Sequence, residues 1–253
     1  MEKMLWVVAC KDMQAFARTA TRVGVTGVAI RTDNNMAEAL HVFHDRGIKV
    51  FGWRWPSAQA DAAMREADRV ATAFHAGLDG YYADPEGEPG KPWNWNQRGL
   101  DGLAEKFCAA ITAAADGRPF GVTSHYRAKA IFPNLPWAAF FRHADVLLPQ
   151  AYWRVAGGTV GHGVPAENYA RAIEAWAAAG AERASIVPMA GEIALARQAE
   201  IGEYVDAAAA HAVKALHFYT YGADVPMAVW DAIAAPVALG ALGAPRQAAQ
   251  PPR

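Results

Sequence analysis

Two carboxylates two residues apart, Asp84 and Glu86 in the run Gly80-Tyr81-Tyr82-Ala83-Asp84-Pro85-Glu86-Gly87-Glu88, are the side chains of this sequence best suited by type and spacing to move a proton. Residues two apart on an extended strand share a face, so Tyr82, Asp84 and Glu86 are expected to point together. Paired acids that are also partly desolvated repel one another, and one of them then keeps its proton to higher pH, as a donor to a leaving oxygen must. A lone D-x-E can equally be two loop acids neutralised by Arg or Lys. Here it follows a Tyr-Tyr pair and precedes a long loop, 87–96, that contains Trp93 and Trp95. Glu88 is a weaker third candidate, because Gly87 leaves its direction open.

Further polar and aromatic residues fall where other β-rich runs end. Gln150 and Tyr152 share one face of Leu148-Pro149-Gln150-Ala151-Tyr152-Trp153, where an amide and a phenol can hydrogen-bond a polar substituent. His217, Tyr219 and Tyr221 form a second set, and Phe51, Trp53 and Trp55 a third. Any one of these aromatics is explained by core packing. Together, nine Trp and eight Tyr with several at strand ends suggest a cleft that stacks flat apolar faces, such as those of sugar rings. The candidate substrate contacts are therefore Tyr82, Gln150, Trp53, Trp55, Trp93, Trp95, Arg31, His125, Glu192 and Tyr219, with Asp33 and Ser124 beside them. Other chemistries lack their signatures. Strand one has no histidine for a metal-dependent barrel hydrolase, and His41 and His44 are expected on an outward helix face. There is no G-x-S-x-G elbow, P-loop, C-x-x-C or dinucleotide fingerprint.

The elements that must position these residues follow from periodicity. Eight β-rich runs, 4–9, 27–32, 48–55, 79–86, 119–125, 145–153, 184–190 and 214–221, alternate with amphipathic segments. Residues 60–76 show the helical pattern best, with Met64, Ala67, Val70, Ala71 and Phe74 at three- and four-residue steps and Gly77 as the stop. Residues 166–179 and 200–212 repeat it. Eight β-α alternations predict a single (β/α)8 TIM barrel, an α/β fold, over 1–235, with function at the strand ends. A doubly wound open sheet is the alternative, but Ala9-Cys10-Lys11-Asp12-Met13 holds no glycine-rich phosphate loop. Residues 236–253, rich in Ala and Pro without periodicity, are expected to form a disordered tail.

Composition narrows the ligand. With 253 residues, 53% hydrophobic, and Lys+Arg 24 against Asp+Glu 25, the chain is core-rich and nearly neutral. It shows no charge run that would suit nucleic acid or an anionic membrane. A neutral polymer or small molecule fits better, bound by a monomer that needs neither cofactor nor metal. Cys10 and Cys108 are too far apart in pattern to suggest a disulfide framework and are expected as free thiols. The apolar run at 4–9 is too short for a signal peptide and reads as the first strand, so the chain is expected to be made in the cytoplasm without an export signal.

The Asp84-Pro85-Glu86 end of strand four, preceded by Gly80-Tyr81-Tyr82 and joined to Gln150-Ala151-Tyr152-Trp153 on strand six, resembles barrel glycosidases with a D-x-E motif. The resemblance is nearest to the family 25 glycoside hydrolases, which are muramidases, and more distant to the family 18 chitinases. It implies Glu86 as general acid, Asp84 as the group that assists the substrate N-acetyl, and Tyr152 as the strand-six tyrosine. It further implies a retaining glycosidase on an N-acetylated β-1,4 polymer, first of all peptidoglycan, acting at the cell wall after release through a holin or a secretion system, as an endolysin would. Two departures are visible. The Asp that family 25 carries near the end of strand one has only Asp12, in the loop, as its counterpart, and the chitinase D-x-x-D-x-D-x-E run lacks its middle acid in 79–86. Two other readings stay open: a sugar-binding barrel without turnover, and a barrel enzyme of unrelated chemistry.

Overall fold

Strand one, Glu2–Val7, alternates its side chains, and in the computed structural model, which describes residues 1–237, that alternation divides the core in two. Met4 and Trp6 point into a barrel, while Leu5 and Val7 face the helices packed around it. Five further strands repeat the arrangement: Gly27–Arg31, Lys49–Arg54, Gly80–Ala83, Phe120–His125 and Val146–Gln150. Ala190–Gly191 and Ala215–Tyr219 supply the seventh and eighth. Strands one to six pair in parallel in sequence order, strand one pairs with strand eight and strand eight with strand seven, leaving the seam between six and seven to an isolated bridge, Leu147 to Ile186. The helices are α1 Met13–Arg22, α2 Met36–His44, α3 Ala60–His75, α4 Asp101–Ala115, α5 Trp137–His143, α6 Pro165–Ala178, α7 Gln198–Ala210 and α8 Met227–Ala234. The (β/α)8 barrel read from the periodicity is the observed fold.

Several predicted strands differ at their ends: the first is Glu2–Val7 rather than 4–9, the sixth stops at Gln150 rather than 153 and the eighth at Tyr219 rather than 221, and in two more a proline is the cause. The run 184–190 begins as a single 3-10 turn and continues irregularly, because Pro188 has no N–H for the ladder. The barrel is nonetheless joined there: the Val187 and Met189 amides donate to the carbonyls of Leu147 and Pro149 at 2.7 and 2.8 Å. Strand four ends at Ala83 rather than Glu86. The Asp84 amide still donates to the Arg54 carbonyl at 2.8 Å, and beyond Pro85 the chain turns into the fourth loop. The tail predicted from Pro236 lies, apart from Pro236 and Val237, outside the described residues.

Aromatic side chains fill the barrel interior. Tyr82 stacks on Trp6 at 5.0 Å and on Phe51 at 5.1 Å, and Trp53 crosses Trp6 at 5.6 Å. Tyr82 can lie flat because the residue paired with it on strand five is Gly121, whose Cβ would stand 2.6 Å from the ring. Both indole N–H groups in this layer are satisfied internally. The Trp53 indole donates to the Val7 carbonyl at 2.9 Å, and that of Trp6 to His217 Nδ1 at 3.1 Å. Burial keeps His217 neutral, its pKa pushed down to about 3. Two expectations are corrected here. Trp53 and Tyr82 are not substrate contacts but parts of the barrel core, since a strand's inward residues below its end are covered by their neighbours across the barrel. Truncation of Trp53 to Ala should cost about 3–5 kcal/mol of stability, the range for a fully buried large aromatic, read as a lowered urea midpoint. An unchanged midpoint would contradict this packing.

Candidate active site

Strands four and six bring the two acids together at the C-terminal mouth of the barrel. Gln150, the last residue of strand six, donates from one amide nitrogen to Asp84 Oδ1 at 3.0 Å and to Glu86 Oε1 at 3.3 Å. Asp84 is buried, and Glu86 lies above it, half-buried. The loop that carries Glu86 is held from three sides. The Trp95 amide donates to the Glu86 carbonyl at 2.6 Å, the Ser124 hydroxyl donates to the Pro85 carbonyl at 2.7 Å, and Phe132 packs where a side chain on Gly87 would stand. The convergence expected from the D-x-E spacing is thus achieved by the loop after Pro85, and not by strand alternation alone.

Burial dominates the electrostatics of the pair. It raises the Asp84 carboxyl well above the ordinary range, with Glu86 repulsion adding to it and hydrogen bonds from Trp55 and Gln150 opposing. Burial likewise pushes Glu86 up to about 7, against hydrogen bonding from Asp84 and Gln150. Two desolvated carboxylates side by side cannot both ionise cheaply, so the pair keeps a proton to higher pH than an ordinary carboxyl does. Tyr152 faces the pair and stacks on Tyr219 at 5.4 Å; burial, with Tyr219, Asp84 and Glu192 nearby, keeps its hydroxyl protonated. Its ring lies where Gly191 leaves room, since a Cβ there would meet it at 2.5 Å. Glu192, raised by burial with Asp224 next to it, stands on the same side of the mouth.

Of the other expected contacts, Trp55 and Trp93 do flank the acids. Their rings are 6.4 Å apart, and with Glu86 and Glu88 they line a cleft of about 330 Å³. Arg31 is placed behind them, paired with Asp33 at 2.6 Å and stacked 5.5 Å from the Trp55 ring. Trp95 is corrected: it is fully buried, edge-on to Phe140 at 5.2 Å, and donates to the Pro56 carbonyl at 2.9 Å, so it anchors the fourth loop and presents no face to a ligand. His125 packs on Tyr126 and Phe132 and accepts the Arg127 amide, supporting the loop behind Glu86 rather than reaching the pair. Asp12 caps α1 by accepting the Ala15 amide at 2.8 Å, which accounts for the strand-one acid that the motif lacks. The place of Trp55 beside Asp84, and the supports from Ser124 and Gly191, were not legible in the sequence. A larger cavity, 690 Å³, opens at the opposite end among strand starts and includes Asp145, Arg183 and Lys214. In this fold that end carries stability rather than chemistry.

No protein-family model matches the sequence, and no curated protein does. Solved structures do match. A Group IV chitinase of Ostrinia furnacalis in complex with allosamidin superposes with a TM-score of 0.64 at 10% identity, over 92% of this chain and 97% of that one. A family 18 chitinase of Cycas revoluta in complex with (GlcNAc)4 gives 0.63 at 12%, over 92% and 99%. The PgaB (BpsB) glycoside hydrolase domain of Bordetella bronchiseptica gives 0.61 at 9%, over 89% and 95%. At such identities the likeness is one of fold, and the chain shares its barrel with these glycoside hydrolases.

Desolvated acids have a measurable consequence for stability. A carboxyl whose folded pKa lies above its unfolded value favours folding while protonated and loses that advantage as pH rises through the folded value. The variant Glu86→Gln, which keeps the shape and removes the charge, should therefore resist urea better than the wild type at pH 8, with the difference fading by pH 4. Equal or lower stability of the variant at pH 8 would show that the pair is not desolvated as described.

Proposed function

We propose that this chain is a glycoside hydrolase that cleaves β-1,4 bonds in an N-acetylated cell-wall polymer, with peptidoglycan as the first substrate to test. The observation that supports the reading is the Asp84–Glu86 pair, bridged by Gln150 at the mouth of the barrel, with burial raising both carboxyls above their ordinary range. The barrel shared with chitinases bound to (GlcNAc)4 and to allosamidin supports it as well.

In this mechanism Glu86 gives its proton to the glycosidic oxygen as the bond to the anomeric carbon breaks. The oxygen of the substrate's own acetamido group attacks that carbon from the opposite face and forms a cyclic oxazolinium ion. Asp84, as its carboxylate, stabilises the positive charge on the acetamido nitrogen, and the Tyr152 hydroxyl donates to the acetamido oxygen. Glu86, now a carboxylate, takes a proton from water, which attacks the anomeric carbon and reopens the ring with net retention. Substrate assistance of this kind is a known exception to the scheme with two enzyme carboxylates, so the spacing of Asp84 and Glu86 does not itself dictate stereochemistry. Trp55 and Trp93 offer apolar faces to neighbouring sugar rings.

The decisive assay is release of reducing ends from purified peptidoglycan sacculi, and in parallel from chitin oligomers, by the wild type and by Glu86→Gln. Loss of a general acid should lower turnover by about a hundredfold or more. Release from chitin oligomers alone would move the substrate while keeping the mechanism, and no release from either polymer would defeat the reading in favour of a binding module. The pH profile gives an independent check. Because the proton donor must be protonated, kcat/KM should fall as pH rises through about 7, the value at which burial leaves Glu86.

A further inference from the structure

On the far side of the Trp55–Trp93 wall from Glu86 lies a second cavity, of about 290 Å³, whose lining includes Arg54, Trp55, Gln59, Glu66, Arg69 and Trp93. The two cavities share the tryptophans, so a glycan laid along that wall passes from the acids to the arginines. Glu66 organises the second one. It is buried, on α3, and a single oxygen, Oε2, receives Arg69 Nη2 at 2.6 Å and Arg69 Nε at 3.1 Å, with Arg54 Nε at 3.7 Å. Its other oxygen accepts the Thr32 hydroxyl at 3.1 Å. Arg54 also reaches Asp33 Oδ2 through Nη1, at 3.5 Å.

These contacts leave the arginines unsaturated. A guanidinium carries five N–H donors on three nitrogens, and among the described residues Nη1 of Arg69 and Nη2 of Arg54 have no protein acceptor. The charge is unbalanced in the same direction, with Arg31, Arg54 and Arg69 set against Asp33 and Glu66 alone. Lys91 and Glu88, 3.8 Å apart on the neighbouring loop, cancel one another. One fork hydrogen-bonded to a buried carboxylate, a second guanidinium ion-paired to it at 3.7 Å, free donors and a residual positive charge beside flat aromatic walls suit a planar anion attached to a ring.

We propose that this cavity is a specificity subsite for a carboxylate substituent on the glycan, bound by Arg54 and Arg69 and pre-organised by Glu66. The inference rests on the glycosidase reading for the identity of the ligand as a glycan. The shared chemistry is a sugar carboxylate, whether the lactyl ether of a muramic residue or the C6 acid of a uronic residue. On this basis the polymer cleaved is acidic, and a neutral chitin-type chain engages the wall but not the arginines.

The test is binding, measured by calorimetry on the full chain carrying Glu86→Gln so that nothing is turned over. Three tetrasaccharides are compared: one alternating N-acetylglucosamine with N-acetylmuramic acid, one alternating N-acetylglucosamine with glucuronic acid, and neutral (GlcNAc)4. At least one acidic ligand should bind about tenfold or more tightly than the neutral one, the scale of a hydrogen bond to a charged group. The preference should shrink with added salt and disappear in both Arg69→Gln and Arg54→Gln; Arg69, the more exposed, is the safer of the two for folding. Preference for the muramic ligand alone would assign the lactyl carboxylate, and preference for both would assign carboxylates generally. Equal binding of all three ligands, or a preference that survives both arginine variants, would overturn the proposal. Failure of the glycosidase reading is separable: turnover unaffected by Glu86→Gln would defeat that reading while an arginine-dependent acid preference still stood.

Discussion

The interior of an eight-stranded barrel has room for side chains but not for water, and this chain fills the space with large aromatics. Trp6, Phe51, Trp53 and Tyr82 close into one layer whose indole hydrogen bonds end on Val7 and His217. That layer is the floor of the mouth. Whatever stands on it is desolvated from below, so Asp84, one step above Tyr82 on the same strand face, cannot ionise as it would in water. The perturbed acids, the protonated tyrosine and the gathering of hydrogen-bond donors around them all follow from a core that leaves no alternative solvent.

Rigidity in the walls complements dryness in the floor. Glu86 sits beyond a proline, where a strand would ordinarily give way to a mobile loop, yet Trp95 and Ser124 tie the adjoining carbonyls to the barrel. A catalytic acid needs to be held within a fraction of an ångström of its target, and backbone ties of this kind achieve it without consuming the side chain. Gly191 contributes from the opposite wall by its lack of a side chain, allowing Tyr152 to lean toward the pair. A cost accompanies the arrangement, because two acids desolvated together oppose folding at neutral pH. Sites built for proton transfer commonly carry such a burden.

The same floor and wall also organise the approach to the site. Trp55 borders both places: its indole lies beside Asp84, and its ring lines the acidic cleft and the arginine-lined one alike. Behind it, buried Glu66 hydrogen-bonds Arg69 and draws Arg54 to 3.7 Å, so one carboxylate gathers two guanidiniums on the same side of the wall. The acidic pair and the arginine pair are therefore joined through one aromatic side chain.

The sequence alone determined the fold class, because eight repeats of a two-residue and then a 3.6-residue periodicity leave few ways to bury both faces, and α3, α6 and α7 lie within two residues of where their apolar spacing put them. It also singled out Asp84, Glu86, Gln150 and Tyr152, since residue type and position at a strand end are local properties. What it could not decide is which of several similar aromatics faces a ligand. Trp53 and Trp55 are two apart and chemically identical, but one is capped by Trp6 across the barrel while the other rises above it. Trp93 and Trp95 divide in the same way, because Trp95 packs against α4 and α5. Exposure depends on neighbours distant in the chain, as does the pairing of Arg54 and Arg69 through Glu66. Those partners meet only when strand three and α3 pack together, so the arrangement of charge beside the mouth is decided by the tertiary structure alone.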